Sequence, residues 1–322
     1  MPDLIRWAIL GAGRIARKFA ADLAAVPGAR LVAVGSRSGE RARALAAELG
    51  APRAYDSYAG LAADPEADVV YVATRNHAHR EACELALATG KGVLCEKPFA
   101  LDAMEAAAVI GRARARRCFL MEAMWTRFIP AVRQWRQWID SGRLGEARLL
   151  QVDFGFRAEP DPRSRLFDPT LGGGALLDVG VYAVSLASWL FGPPTRIEST
   201  ACIGETGVDE SVGILLDHPG GRLSLLSASI RLDTAKTAVV YGAEGAAWLS
   251  CPWWKARAAR LEPRTGHPVQ IDHPFPGNGY QFEIQEVHRC LAQGQTESPV
   301  MPLAESLEIM KTLDAVRRRW SS

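Results

Sequence analysis

Two stretches of this chain carry residue types, at a spacing, that could move a proton beside a hydride acceptor. One is Glu96-Lys97-Pro98, directly after the apolar run Val93-Leu94-Cys95. The other runs Gly172-Gly173-Gly174-Ala175-Leu176-Leu177-Asp178-Val179-Gly180-Val181-Tyr182. Asp178 and Tyr182 are four apart, so on a helix they share a face, which Ser185 and Trp189 continue. A phenol of pKa about 10 is a poor base near neutrality. A lysine ammonium ~4–6 Å away favours the phenolate, typically by about one to three pKa units, which brings Tyr182 toward general acid–base range. The predicted chemistry has Tyr182 exchanging a substrate hydroxyl proton, Lys97 lowering its pKa and polarising the oxygen, and Asp178 orienting the pair. Taken singly, Tyr182 fits the core face of an amphipathic helix and Asp178 a helix cap. The triple glycine, which lets a ligand approach the backbone, favours the chemical role.

The hydride partner is indicated by Gly11-Ala12-Gly13-Arg14-Ile15-Ala16, a glycine fingerprint that follows an apolar strand and opens a helix. Gly11 permits the tight turn and Gly13 lets backbone reach a pyrophosphate, while the amides of Arg14 and Ile15 lie at the helix start. About twenty residues on, an NAD site would place an acid against the ribose. This chain places Gly35-Ser36-Arg37-Ser38 there, with Arg41 one turn later. A hydroxyl and two guanidinium groups suit a 2′-phosphate, so NADP is expected in preference to NAD. In Thr74-Arg75-Asn76-His77-Ala78-His79, the loop after a further apolar strand, Thr74, Asn76 and His77 read as cofactor contacts and His79 as a substrate contact. Glu96 and Lys97 border the same cofactor. A His-x-His pair can bind metal, but no Cys or acidic cluster accompanies it, and no metal is expected.

The elements that must position these groups alternate at first. Trp7 to Leu10, Leu31 to Val34, Val69 to Ala73, Val93 to Cys95 and Phe119 to Met121 are short apolar runs. Helical spacing over Ile15 to Val26, Glu40 to Leu49, His77 to Thr89 and Asp102 to Arg116 separates them. Continuous apolar strands between helices predict a parallel sheet covered on both faces, and with the fingerprint first, a doubly wound Rossmann domain over residues 1–122. After residue 123 strands follow one another: Arg148 to Phe156, Arg196 to Ile203, Val212 to Leu216, Arg222 to Ile230, Ala238 to Tyr241 and Ala246 to Leu249. They predict a second α/β domain over 123–322 with a largely antiparallel sheet. One helix, about Ala175 to Leu190, interrupts it. A last helix, about Leu303 to Trp320, is expected to pack back on the first domain.

Bulk properties narrow the function classes. The 322 residues carry a net charge of +2, with 48% hydrophobic and 23% charged residues, which gives no reason to invoke nucleic acid or a membrane surface. The basic run Arg112-Ala113-Arg114-Ala115-Arg116-Arg117 ends a predicted helix, where it favours the C-terminal dipole. No segment reads as a membrane span of ~20 apolar residues. Met1 to Trp7 runs into a strand with no basic-then-apolar leader, so a cytoplasmic protein is expected. The six cysteines lack a Cys-x-x-Cys pair and read as reduced thiols.

Together these residues resemble the glucose–fructose oxidoreductase, inositol dehydrogenase and rhizopine-catabolism (Gfo/Idh/MocA) family over essentially the whole chain. Val93 to Pro98 is similar to its lysine motif and Gly172 to Tyr182 to its second motif. Tyr182, where many members carry histidine, resembles the branch containing dimeric dihydrodiol dehydrogenase and NADP-dependent D-xylose dehydrogenase. So do Met121 to Phe128, Glu205 to Asp209 and the tail from Glu297. Arg75 stands where many members carry proline. The resemblance implies an NADP-dependent oxidoreductase of an aldose, polyol or vicinal diol, with Lys97 and Tyr182 catalytic and Asp178 close by. It also implies a homodimer through the C-terminal sheet. By position it brings Trp125 and Arg165 to the nicotinamide, and His79, Trp125, Arg127 and Phe154 to the substrate. Trp253, Trp254 and Tyr280 are further aromatic surfaces that a sugar ring or an arene could stack on, or core residues. A keto-sugar or carbonyl reductase, and a non-catalytic NADP-binding regulator, remain alternatives.

Overall fold

Apolar runs too short for helices form strands, and glycine turns at their carboxyl ends leave room for ligands. In the computed structural model, which describes residues 4–320, the chain divides into two compact units: residues 4–125 with 276–307, and residues 126–275 with 308–320. The sequence-based division keeps 276–307 with the second domain. Met1 to Asp3 of the N-terminal stretch lie outside the described residues.

The first unit begins with β1 (Ile5–Leu10), α1 (Arg14–Leu23), β2 (Ala29–Gly35), α2 (Gly39–Leu49), β3 (Arg53–Tyr55), α3 (Tyr58–Ala62) and β4 (Val69–Val72). It continues with α4 (His79–Ala88), β5 (Gly92–Glu96), α5 (Ala103–Arg116) and β6 (Leu120–Ala123). The six strands form one parallel sheet in the order β3-β2-β1-β4-β5-β6. Every residue of β4, β5 and β6 is buried, the pattern of a sheet covered on both faces. β1 and β4 are neighbours on either side of the order reversal, the place where open α/β sheets bind ligands. Asp102 caps α5 by accepting from the Glu105 amide at 2.8 Å, and Arg114 and Arg116 sit in its last turn, as the basic run predicts.

The second unit opens with α6 (Pro130–Asp140), β7 (Ala147–Gly155) and α7 (Val181–Phe191). Then follow β8 (Arg196–Ile203), β9 (Asp209–His218), β10 (Arg222–Ser229), β11 (Ala238–Gly242), β12 (Gly245–Leu249), β13 (Ala258–Pro263) and β14 (Val269–Asp272). They make an eight-stranded sheet ordered β14-β13-β12-β11-β7-β10-β9-β8, antiparallel except where β7 lies parallel to β10. Alternating burial along β9 and β10 gives the sheet one covered and one open face. Two helices close the chain, α8 (Gln281–Ala292) in the first unit and α9 (Leu303–Arg318), which runs from the first unit into the second.

Two expectations need correction. The helix predicted from Ala175 is not uniform: Leu176–Gly180 is a π-turn, and regular α-helix starts only at Val181. The glycine-rich approach lacks the side chains that hold an α-helical first turn, and Gly180 leaves the junction free to widen. In addition, Pro169–Phe191 is long and apolar enough to cross a membrane by length and composition, with 89% of its most apolar window buried inside the fold.

Candidate active site

At the nucleotide end, Gly11 has φ +113° and lies against the carbonyl of Ala73, so a side chain there would collide with β4's exit. Gly13 precedes α1 in extended conformation, and nothing lies within 4 Å of where its Cβ would stand. The first turn of α1, including Arg14 and Ile15, contains no acid and no side-chain cap. Open space, unclaimed amides and the helix dipole fit a pyrophosphate. Ser36 is buried at the end of β2, and its Oγ accepts from the Ser38 amide at 3.3 Å. Ser38 in turn caps α2 by accepting from the Arg41 amide at 3.4 Å. Arg41 Nη2 donates to the Ala12 carbonyl at 3.1 Å, which ties α2 to the fingerprint turn. The Arg37 guanidinium lies 5.9 Å over the Tyr58 ring. The structure therefore brings Gly11, Gly13, Ser36, Arg37 and Arg41 together, with no carboxylate at the end of β2.

Lys97 leaves β5 at the carboxyl edge of the same sheet and is joined to Pro98 by a cis peptide bond. Two supports fix this corner. Glu96 accepts from the Tyr71 hydroxyl at 2.5 Å through Oε1 and from the Lys97 amide at 3.2 Å through Oε2. Its carboxylate is thus engaged from within the unit, so the structure gives Glu96 a bracing role beside its expected place near the cofactor. Behind it, Glu283 on α8 is fully buried, and burial with the charges of Glu96 and Asp22 pushes its carboxyl well above the ordinary range. No spacing rule pointed to Tyr71 or Glu283, because they reach Glu96 only through the fold.

His79 is the second support. It is 1% exposed, and its Nδ1 lies 2.8 Å from the Pro98 carbonyl, with Nε2 3.4 Å from that of Thr74. Burial pushes its pKa down to about 4, outweighing the two carbonyls. The neutral ring has one N–H, and the shorter distance assigns it to Nδ1. Thr74, Asn76 and His77 occupy the exit of β4 and the single 3₁₀ turn Asn76–Ala78 that leads into His79. Trp125 is 5% exposed, with its ring 4.8 Å from that of Tyr280.

In the second unit Tyr182 lies one residue into α7 and is 7% exposed. Its ring centroid is 5.5 Å from Phe154 and 6.5 Å, edge-on, from Trp253. Phe154 stacks on Trp254 at 3.5 Å and 7°. Trp253 is wholly buried and donates from Nε1 to the Asp153 carbonyl at 2.9 Å, so of the two tryptophans Trp254 is the one with an accessible face. Asp178, in the π-turn, accepts from Arg165 Nη1 at 2.8 Å. Arg127, expected near the substrate, is 2% exposed and donates from Nη2 to the Ser185 carbonyl and hydroxyl, both at 2.9 Å, one turn beyond Tyr182. It anchors α7. Asp209, at the start of β9, accepts from the Leu176 amide at 2.6 Å, and burial pushes its carboxyl up to about 6. Gly174, at φ +107°, has its missing Cβ replaced by Asp209 Oδ1. The glycine run is thus shaped by an acid whose role the spacing did not reveal.

Comparison with known proteins shows the family to which the chain belongs. Residues 5–124 match the family model described as "Oxidoreductase family, NAD-binding Rossmann fold", and residues 132–248 match "GFO/IDH/MocA C-terminal domain". The chain is 38% identical to the trans-1,2-dihydrobenzene-1,2-diol dehydrogenase of Mus musculus, over 98% of this chain and 96% of that one. Among solved structures it is similar to the aldose–aldose oxidoreductase of Caulobacter crescentus complexed with glycerol, with TM-score 0.89 and 25% identity over 98% and 97% of the two chains. It is also similar to a 3-ketoreductase of Actinomadura kijaniata in complex with NADP and TDP-benzene, with TM-score 0.86 and 26% identity over 99% and 98%.

Proposed function

The chain belongs to the GFO/IDH/MocA oxidoreductase family, and from that premise we propose that it is an NADP-dependent dehydrogenase of sugars, polyols or vicinal diols, of aldose or trans-dihydrodiol type. It is an oxidoreductase acting on CH–OH groups, with an NAD(P)-binding Rossmann domain. The observation that carries the finer reading is the setting of Tyr182: a phenol between aromatic rings, beside a carboxylate held by Arg165. Sugar rings and arenes both stack on aromatic faces, and Trp254 over Phe154 offers one.

In this proposal a nicotinamide held at the fingerprint turn would supply the acceptor for the hydride of the carbinol carbon. Tyr182 Oη accepts the hydroxyl proton in the same step, as general base. Phe154 and Trp253 hold the phenol ring, and Arg127 fixes its helix through Ser185. Asp178, kept in place by Arg165, orients the hydroxyl. Lys97 supplies a positive charge to the oxygen, from a corner braced by Glu96 and His79. Ser36, Arg37 and Arg41, with a serine and an arginine rather than an acid directly after β2, support NADP over NAD.

The reverse direction, reduction of a keto-sugar or other carbonyl, uses the same groups and is supported by the likeness to the 3-ketoreductase. A panel of aldoses, polyols and trans-dihydrodiols, followed at the reduced-nicotinamide band with NADP and with NAD, tests the proposal. Turnover with NADP on at least one of these is expected. Tight NADP binding with no turnover on any of them, or on carbonyls in reverse, would point to a regulator instead. The open face of the second unit's sheet supports a homodimer: Tyr241, Leu149 and Leu223 stand in one row across β11, β7 and β10, and Leu223 and Leu225 are 40% and 41% exposed.

A further inference from the structure

Three arginines, rather than two, surround the fingerprint turn. Arg41 reaches it from α2 through the Ala12 carbonyl, and Arg37 stands over Tyr58 at the end of β2. The third, Arg75, follows β4 two residues after Ala73, the residue whose carbonyl abuts Gly11. It is exposed, in extended conformation at φ −76° and ψ 152°. The buried Tyr58 phenol registers it: burial pushes that phenol up, Glu81 adds to the rise, and Arg37 and Arg75 oppose it. β2 and β4 flank β1 and run parallel to it, so Arg37 and Arg75 leave the same edge of the sheet on either side of the fingerprint turn. Among the described residues none of the three guanidinium groups is in an ion pair. Three unpaired cations at one mouth repel one another, and the arrangement is favourable once a dianion binds there.

We infer that Arg75 is a cofactor-specificity residue, acting with Arg37 and Arg41 on the 2′-phosphate of the adenosine ribose. A sequence view of the Thr74 to His79 loop sets it beneath the nicotinamide; the place of β4 beside β1, with the Ala73 carbonyl against Gly11, sets the exposed Arg75 at the fingerprint turn with Arg37 on its other side. The inference rests on the NADP reading and adds to it a residue that the usual position after β2 does not include.

Isothermal titration of the full chain with 2′,5′-ADP and with 5′-AMP separates the two claims, because the probes differ only in the 2′-phosphate. For Arg75→Gln, 2′,5′-ADP binding should weaken about tenfold, as expected for loss of one charge-assisted contact, and 5′-AMP binding should stay within about twofold. Arg75→Lys should fall between, and the thermal melt of both variants should match the parent. If the parent binds 2′,5′-ADP no better than 5′-AMP, the NADP reading fails and this inference with it. If the parent prefers 2′,5′-ADP and Arg75→Gln keeps that preference, or loses affinity for both probes equally, the assignment of Arg75 alone is overturned.

Discussion

A phenol serves as a proton carrier only if its ring is held while its hydroxyl is free to exchange, and Tyr182 meets the first condition through Phe154, Trp253 and the Arg127–Ser185 anchor. Arg165 meets a related need, since it pairs with the nearly buried Asp178 at 2.8 Å and so helps fix that carboxyl. Arg165→Ala is therefore expected to lower kcat by roughly tenfold or more, with little effect on cofactor affinity measured by NADPH fluorescence. Lys97→Met should lower kcat by about 10²–10⁴-fold, read in steady-state kinetics. The corner that holds Lys97 makes a different prediction. His79 is neutral in the fold with a pKa near 4, against about 6.5 when unfolded. Between these values the unfolded chain binds more protons, so the stability His79 contributes is full above pH 6.5 and is lost as pH falls toward 4. The loss is on the order of 3 kcal/mol, and buried His218 and half-buried His288 act in the same direction. Urea unfolding across pH 4 to 7 should show this slope, and His79→Gln should flatten it.

At the scale of elements, the stretch before α7 is set by a carboxylate and a glycine that fit each other. A side chain on Gly174 would combine a positive φ with a clash against Asp209, so Gly174→Ala should destabilise the protein by about 1–3 kcal/mol. A urea midpoint equal to the parent's would contradict this account of the loop. Much of the architecture was legible beforehand because it rests on local pattern. The strands Val69–Val72 and Gly92–Glu96 announce themselves as unbroken apolar runs, and Arg196–Ile203 emerges with the bounds predicted for it. What the pattern hid has physical causes. Arg53–Tyr55 is three residues long, too short for any periodicity to register. Helix α6 is different: Ala131, Val132, Trp135 and Trp138 mark a buried stripe at helical spacing, so it was readable from periodicity although the expected elements do not include it. The π-turn opens at the Leu176 amide, which donates to Asp209, 33 residues away in sequence, a contact that no local pattern shows. The glycine turn before α1 was readable because a phosphate site needs glycines at fixed offsets, and Gly11 takes the positive φ of a tight turn there. Tyr71, Glu283 and Asp209 were not, since each acts through contacts that only the fold creates.

At the scale of the molecule, a sheet with one face covered leaves the other to water or to a partner. The row formed by Tyr241, Leu149 and Leu223, with Leu225 beside it, is apolar enough to be an interface between two copies of the chain. Leu225→Glu is expected to shift the sedimentation coefficient from dimer to monomer with NADP binding intact; a parent chain that sediments as a monomer would refute the dimer. The catalytic proposal stands on the phenol of Tyr182 being the proton carrier. The most direct test is the turnover of Tyr182→Phe beside the parent, with NADP and the best substrate from the sugar and diol panel, and NADPH affinity measured in parallel. The expected result is a loss of kcat of at least about 100-fold with unchanged NADPH affinity. Near-parental turnover by Tyr182→Phe, with the cofactor bound as tightly as before, would contradict the account.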